Sequence, residues 1–323
     1  MCVRCLFLSL SCSVMMLGCS SVSDPPAPPT PPEINSFAFL EGSWTATGTF
    51  TRADGSTETT TTQSVVQSSL GDRARKERRV GMREGETVEV LTLYAPSDNT
   101  GQLIVARGDG GTGTFDVLEG AFSASVGVFT SRSGTRPDGG RTRETFSEIE
   151  EDTFTWQAER SDDGGATWEV YWTLAYMRNP SGGSPPAGPD DASGCATADY
   201  RGFDFWEGSW SAGGSATNNL RSLVGGCILE ENWSSAENGT SFNMYDARSG
   251  LWNQVWTDTN DNTLIIYGGL DGDQMVMSGP RRGAMERIIW TPNANGTVRQ
   301  LGQSSSNGGQ SWTTSYDITY AMQ

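Results

Sequence analysis

Eight side chains in the C-terminal part of the chain combine polar and aromatic character in a pattern suited to recognition: Glu231, Trp233, Asn243, Tyr245, Gln254, Trp256, Arg287 and Arg299. Gln254 falls between Trp252 and Trp256, and Glu231 between Leu229 and Trp233, in stretches where residues two apart share one face of a strand. A core built only for stability would use aliphatic residues there, because a buried polar group without a partner costs about 1–3 kcal/mol. Rings of this kind stack on flat, apolar or sugar faces. Amide groups supply hydrogen bonds, and an arginine meets a carboxylate or phosphate. The eight are therefore expected to converge on one concavity at a barrel mouth. A private ion pair between Glu231 and Arg287 or Arg299 is the plainer account of the same residues.

Catalytic chemistry finds little support. The 323 residues include no histidine, and Lys76 is the single lysine. Histidine triads, imidazole bases, His-ligated haem and HExxH zinc sites are excluded. Acid-base work would fall to carboxylates, yet adjacent Glu230 and Glu231 point to opposite faces of a strand and cannot flank one glycosidic bond. The acidic stretches 258–263 and 271–274 lack the full EF-hand spacing and read as ordinary Asx turns. No enzymatic activity, cofactor or metal is expected. A formal net charge of -17 repels phosphate backbones, so nucleic acid is not an expected partner. One basic run, RARKERR at 73–79, reads as a strand or loop with a charged, solvated face; docking of an acidic domain or anion binding is the functional alternative.

These residues sit in short strands cut by turns. In the C-terminal part, SFNMYDA, LWNQVWTD, NTLIIYGG, DQMVMSG and MERIIWTP are separated by Gly, Asn, Asp and Pro clusters, the pattern of an antiparallel meander closed into a barrel or sandwich. The segment 179–199, rich in Pro, Gly, Ser and Ala, divides the chain as a linker. Landmarks recur in the same order on either side of it. FLEGSW at 39–44 answers FWEGSW at 205–210, and SDDGGATW at 161–168 answers SSNGGQSW at 305–312. This is an internal duplication. SDDGGATW has the form of the Asp box of sialidases and β-propellers, but propeller blades repeat every ~40–50 residues and these copies do not. The box is expected to be a hairpin staple within each barrel. The second copy also holds seven of the eleven tryptophans. Trp252, Gln254 and Trp256 share one face and Leu251, Asn253 and Val255 the other, so periodicity leaves open which face looks inward.

Gly42-Ser43-Trp44 and Gly208-Ser209-Trp210 resemble the GxW signature that opens lipocalin-type barrels, in which a short helical turn leads into the first strand and the Trp plugs the barrel floor. The second copy also resembles an uncharacterised bacterial domain family through FDFWEGSW, GGCILEENW, SFNMYD, LWNQVWTD, IIWTP, VRQ and NGGQSW. The resemblance implies a lipocalin-like barrel, often exported, with no assigned activity. The first copy lacks the GC pair, the WTP and the VRQ. The expected fold is all-β: two tandem antiparallel lipocalin-like (calycin-type) barrels at 36–178 and 200–323, joined by the Pro/Gly/Ser linker and bounded by the landmarks above.

Residues 1–18 read as a signal peptide, with Arg4 followed by an apolar stretch. Met16-Leu17-Gly18-Cys19 resembles the lipobox read by lipoprotein signal peptidase, which implies lipidation of Cys19 and membrane anchoring through that lipid. Residues 19–35 then form a Pro-rich tether that holds the body off the bilayer. Ser20 is not the Asp that retains such proteins at the inner membrane, so the resemblance implies an outer membrane facing the periplasm. In that oxidising compartment Cys195 and Cys227 are an even pair, expected as a disulfide. The leading expectation is an envelope lipoprotein whose barrels bind a small amphipathic or sugar ligand. A structural lipoprotein with solid-packed barrels is the alternative, and a carbohydrate-active enzyme a third.

Overall fold

The computed structural model describes residues 34–52, 54–132 and 138–323. Ten antiparallel strands between Gly42 and Arg178 close into one barrel, and ten more between Gly208 and Met322 close into a second. Every strand pairs with its neighbours in sequence. The first barrel shuts where Gly42–Thr51 meets Glu169–Arg178, the second where the short Gly208–Ser211 meets Thr313–Met322. The fold is all-β with two tandem barrels, and this connectivity fits a calycin-like architecture. The expected signal peptide, Cys19 and the expected tether up to residue 33 lie outside the described residues.

The duplication is visible in how each barrel is plugged. A 3-10 helix, Ile34–Leu40 in one copy and Asp204–Trp206 in the other, leads into the GxW turn. Gly42 and Gly208 have φ of 120° and 136°, a backbone region that penalises a Cβ. The turn carries Trp44 and Trp210 to the barrel floor, where each indole Nε1 donates back to the helix, to Leu40 O at 2.7 Å and Trp206 O at 3.0 Å. Phe37 and Leu40 pack among Tyr94, Phe129, Phe146 and Phe154, while Phe203 and Trp206 pack among Trp252, Trp290 and Tyr320. One end of each barrel is therefore filled with aromatic rings. Any free lumen must lie toward the other.

The barrels are pressed together. Leu91, Leu93, Ile104, Ala106 and Phe115 on the outer face of the first meet Ile228, Phe242, Met244, Val255 and Ile265 on the outer face of the second. At the rim, Lys76 Nζ donates to Glu230 Oε1 at 2.7 Å and to Thr240 Oγ1 at 2.8 Å, Arg248 pairs with Asp116 at 2.9 Å, and Thr263 Oγ1 donates to Pro96 O at 2.6 Å. The segment 179–199, a Pro/Gly/Ser/Ala linker of the kind expected to be mobile, is instead tied to both barrels. Arg78 donates to the carbonyls of Pro185 and Pro186, Ala192 N–H to Gly225 O, and Gly194 N–H to Gly110 O. Cys195 and Cys227 form a disulfide, with Cα atoms 5.4 Å apart, that clamps the segment's end onto the second barrel. Backbone groups of a Pro/Gly-rich stretch still need partners, and here both barrels supply them.

The basic run is likewise not a solvated face. It forms the strand Ala74–Arg83, on which Arg75 and Arg79 are buried inside the first barrel. Arg75 holds the plugging helix by donating to Glu41 Oε1 at 2.8 Å and Ile34 O at 3.0 Å. Lys76 on the other face docks the second barrel, as above.

Candidate functional site

Strand register decides which side chains of the second barrel look inward. Glu231 stands opposite Leu220 and Ser241, and Asn243 opposite Leu229 and Gln254, so these residues share the lumenal face with Trp252 and Trp256. Trp252 belongs to the aromatic floor, Gln254 sits midway, and Trp256 lies nearer the mouth. Beyond the floor the lumen opens as a cavity of about 380 Å³. Its walls carry Trp233, Trp256, Tyr316 and Tyr320 as rings, with Leu264, Ile288 and Ile318 between them.

Glu231 is the polar centre of this cavity. Asn218 Nδ2 donates to its Oε1 at 2.6 Å and Ser241 Oγ to its Oε2 at 2.7 Å. Gln254 Nε2 donates to Asn243 Oδ1 at 2.8 Å and approaches Glu231 Oε2 at 3.4 Å, and Asn243 Nδ2 donates to Leu229 O at 3.0 Å. Every hydrogen-bonding partner of this carboxyl is neutral. Burial pushes its pKa above the ordinary carboxylate range, and the bonds from Asn218 and Ser241 offset only part of that. Nearby, Tyr320 Oη donates to Gln300 Oε1 at 2.7 Å. Glu237, Asp258 and Arg281 are the other charged groups of the lining.

Of the eight side chains singled out by sequence, Glu231, Trp233, Gln254 and Trp256 line the cavity, and Asn243 braces Gln254 from behind. Tyr245 does not join them. It packs at the plugged end, 5.2 Å from the Tyr200 ring and 6.5 Å from Trp252. Arg287 and Arg299 fall on the outer surface, because the inward positions of their strands are occupied by residues such as Ile288, Trp290 and Gln300. Arg287 lies 4.1 Å over the Trp312 ring and donates to Gln303, while Arg299 chelates Asp317 at 2.7 and 2.8 Å. Neither reaches Glu231, so the expected ion pair is absent.

The stacked Arg287 belongs to the hairpin staple rather than to a ligand site. In the first copy, Ser161 Oγ and Thr167 Oγ1 donate to the Asp163 carboxylate and Arg143 stacks 4.3 Å over Trp168. Asn307 takes the aspartate's place in the second copy, accepting from Ser305 Oγ and Ser311 N. Asp258, at the cavity rim, accepts from the amides of Asn260 and Asn262 in an Asx turn, and among the described residues no cluster of His, Cys, Asp or Glu could hold a metal ion.

Sequence reading missed Asn218, Ser241, Arg281, Gln300, Tyr316 and Tyr320. Ser241 was within reach, since it shares the face of Asn243 and Tyr245 by simple alternation. Tyr316 was too, since it shares the face of Ile318 and Tyr320 by the same alternation, and the register shift of the last strand falls beyond its pairing with Gly302. The first barrel, which the sequence did not favour as a site, holds a comparable cavity of about 360 Å³.

No family model matches the chain, and no curated protein matches it. Among solved structures, it is similar to EF1p2_mFAP2b bound to DFHBI, at 14% identity and a TM-score of 0.28 over 46% of this chain and 99% of that one. It is also similar to a protein of unknown function from the DUF3598 family from Nostoc punctiforme, at 11% identity and a TM-score of 0.27 over 90% of this chain and 99% of that one.

Proposed function

We propose that this chain is an exported, lipid-tethered binding protein whose second barrel holds a small amphipathic ligand without converting it chemically. The observation that carries this reading is the open cavity of about 380 Å³ centred on Glu231. A barrel packed for stability alone loses dispersion contacts around such a space and gains nothing from a buried carboxyl. The volume suits a small molecule, and four aromatic rings with a few convergent polar groups are the usual composition of a ligand pocket. Three carboxylates and one arginine line it, which favours a neutral polyol or an amine over an anion. Glu231 would accept the ligand's donor, and Trp233 and Trp256 would cover its flat or apolar face.

Native mass spectrometry of the delipidated chain, purified from its own cell envelope, tests the binding reading. A recurring adduct on the wild type that is lost in Trp256→Ala supports it. Clean apoprotein across repeated preparations overturns it and leaves a structural envelope protein. The tether is supported by Met16-Leu17-Gly18-Cys19 and the prolines that follow. Cys19→Ala should release the chain from membranes into the soluble fraction; retention after a carbonate wash would refute lipidation at that residue.

A further inference from the structure

The lumen of the first barrel contains an arginine with at least three of its five N–H donors unspent. Arg79 is buried, with 1% of its surface exposed, between the rings of Trp156 and Trp172, whose centroids lie 4.9 and 5.0 Å from its guanidinium carbon. Its Nη1 donates to Tyr176 Oη at 2.8 Å, while Nε and Nη2 have no partner. The other arginines of this lumen are matched. Arg83 is chelated by Asp109 at 2.7 and 2.8 Å, Arg107 pairs with Glu144, and Arg248, reaching over from the second barrel, pairs with Asp116. Glu77, two residues before Arg79 on the same face, is engaged by Tyr94 Oη at 2.7 Å.

The two unpartnered nitrogens lie on one edge of the guanidinium. The same Nε/Nη2 edge binds a carboxylate elsewhere in this molecule, at Arg143 with Glu159 and at Arg299 with Asp317. It presents two parallel N–H groups at the spacing of a carboxylate's oxygens. Two hydroxyls without partners, Thr62 Oγ1 and Ser64 Oγ, stand on the adjacent strand, with Ser64 directly opposite Arg79 in the register. Leaving a charged donor buried and unmatched costs more than leaving a neutral one. Arg79 also lines the cavity of about 360 Å³, whose walls include Phe50, Trp156, Tyr171 and Trp172. Of the six arginines that line this space, Arg52, Arg83, Arg107, Arg160 and Arg248 each pair with a carboxylate, which leaves Arg79 as the one whose charge a bound anion would meet.

We propose that the first barrel is a second, separate binding site, which takes a small carboxylic acid with an apolar or aromatic body. The carboxylate is held on the Nε/Nη2 edge of Arg79 beside Thr62 and Ser64, and the body is covered by Trp172, Tyr171 and Phe50. A monovalent planar acid fits better than a divalent phosphate, which would be repelled by Asp109, Glu144 and Glu77 around the same arginine. The site goes beyond the binding reading for the second barrel and has the opposite charge preference.

Isothermal titration of the full chain in detergent, with acetate, benzoate, 1-naphthoate and decanoate as probes, tests it. At least one of the larger acids should bind one per chain with a dissociation constant below about 1 mM, the corresponding primary amide at least tenfold more weakly, and Arg79→Met should weaken the acid at least tenfold. The acid-against-amide comparison uses only wild type, so it holds even if Arg79→Met fails to fold. Failure of all four acids to bind, equal binding of acid and amide, unchanged affinity in Arg79→Met, or tighter binding of inorganic phosphate would each overturn the proposal. Glu231→Gln should leave the acid's affinity unchanged. An effect there would place the acid in the second barrel, which refutes the assignment to the first and the charge preference given for the second, while leaving the second as a binding site.

Discussion

Glu231 and Asp109 are both buried carboxylates, and their neighbours send them in opposite directions. Asp109 is held at about 2, against burial, by the bidentate Arg83 guanidinium and the Thr112 amide. A depressed value means stability that is present above the ordinary aspartate range and lost as pH falls through about 2. Asp109→Asn should therefore cost about 3 kcal/mol at pH 7 in urea unfolding, by leaving Arg83 buried without its partner, with the difference shrinking toward pH 2. Glu231 has neutral partners only, and its value is raised by burial. Its protonated form is favoured by folding, so that contribution is complete below about pH 4.3, the unfolded glutamate value, and is lost as pH rises through the higher folded one. Glu231→Gln should thus gain on wild type as pH rises from 4 to 8 in urea unfolding. A constant difference across that range would show that the carboxyl is not titrating against burial.

At the scale of elements, the 3-10 helix and GxW turn act as one stopper per barrel. Phe37 is fully buried and contacts Tyr94, Phe122 and Phe129 at centroid distances of 4.7 to 5.4 Å. Phe37→Ala should destabilise the protein by about 3–5 kcal/mol, because neighbouring rings cannot collapse into the gap. A loss under 1 kcal/mol would mean that the helix is a lid rather than part of the core. The hairpin staples are a second element-level device, and they explain why Arg143 and Arg287 sit on ring faces outside the barrels. Both devices were legible. Each depends on residues close in sequence, GSW after an aromatic or S-x-D/N-G-G-x-T/S-W, whose local hydrogen bonds form with little help from the rest of the chain.

For the whole molecule, the shared apolar layer makes the two barrels one body. Ile228, 1% exposed, lies at the centre of that layer with Phe242 and Met244. Calorimetry of wild type should give a single cooperative transition. Ile228→Asp should split it into two, since an unpaired charge between the barrels costs several kcal/mol while each closed sheet keeps its own core. Two transitions in wild type would show the packing to be too weak to couple the halves. This layer also left a mark in the sequence, in the near-continuous apolar run of VEVLTLYAP at 88–96, buried throughout. A strand covered on both faces loses its alternation. The run fits a covered strand, but it does not say that the cover is the other barrel.

Local information settled the class of the fold: period-two segments, turn clusters and the repeated landmarks were enough to predict tandem antiparallel barrels, and parity alone put an even cysteine pair in reach of a disulfide. The face each strand turns inward was decided by the tertiary structure. Successive strand residues point to opposite sides, so the same pattern of Trp and Gln at 252, 254 and 256 is compatible with either face until closure and register choose one. That choice brought Glu231 and Gln254 into the lumen and put Arg287 and Arg299 outside. It also turned Arg79, one of several arginines in a basic run, into a buried cation of the first barrel with Nε and Nη2 unpartnered, surrounded by Tyr176, Trp156 and Trp172, about 80 to 100 residues away in sequence.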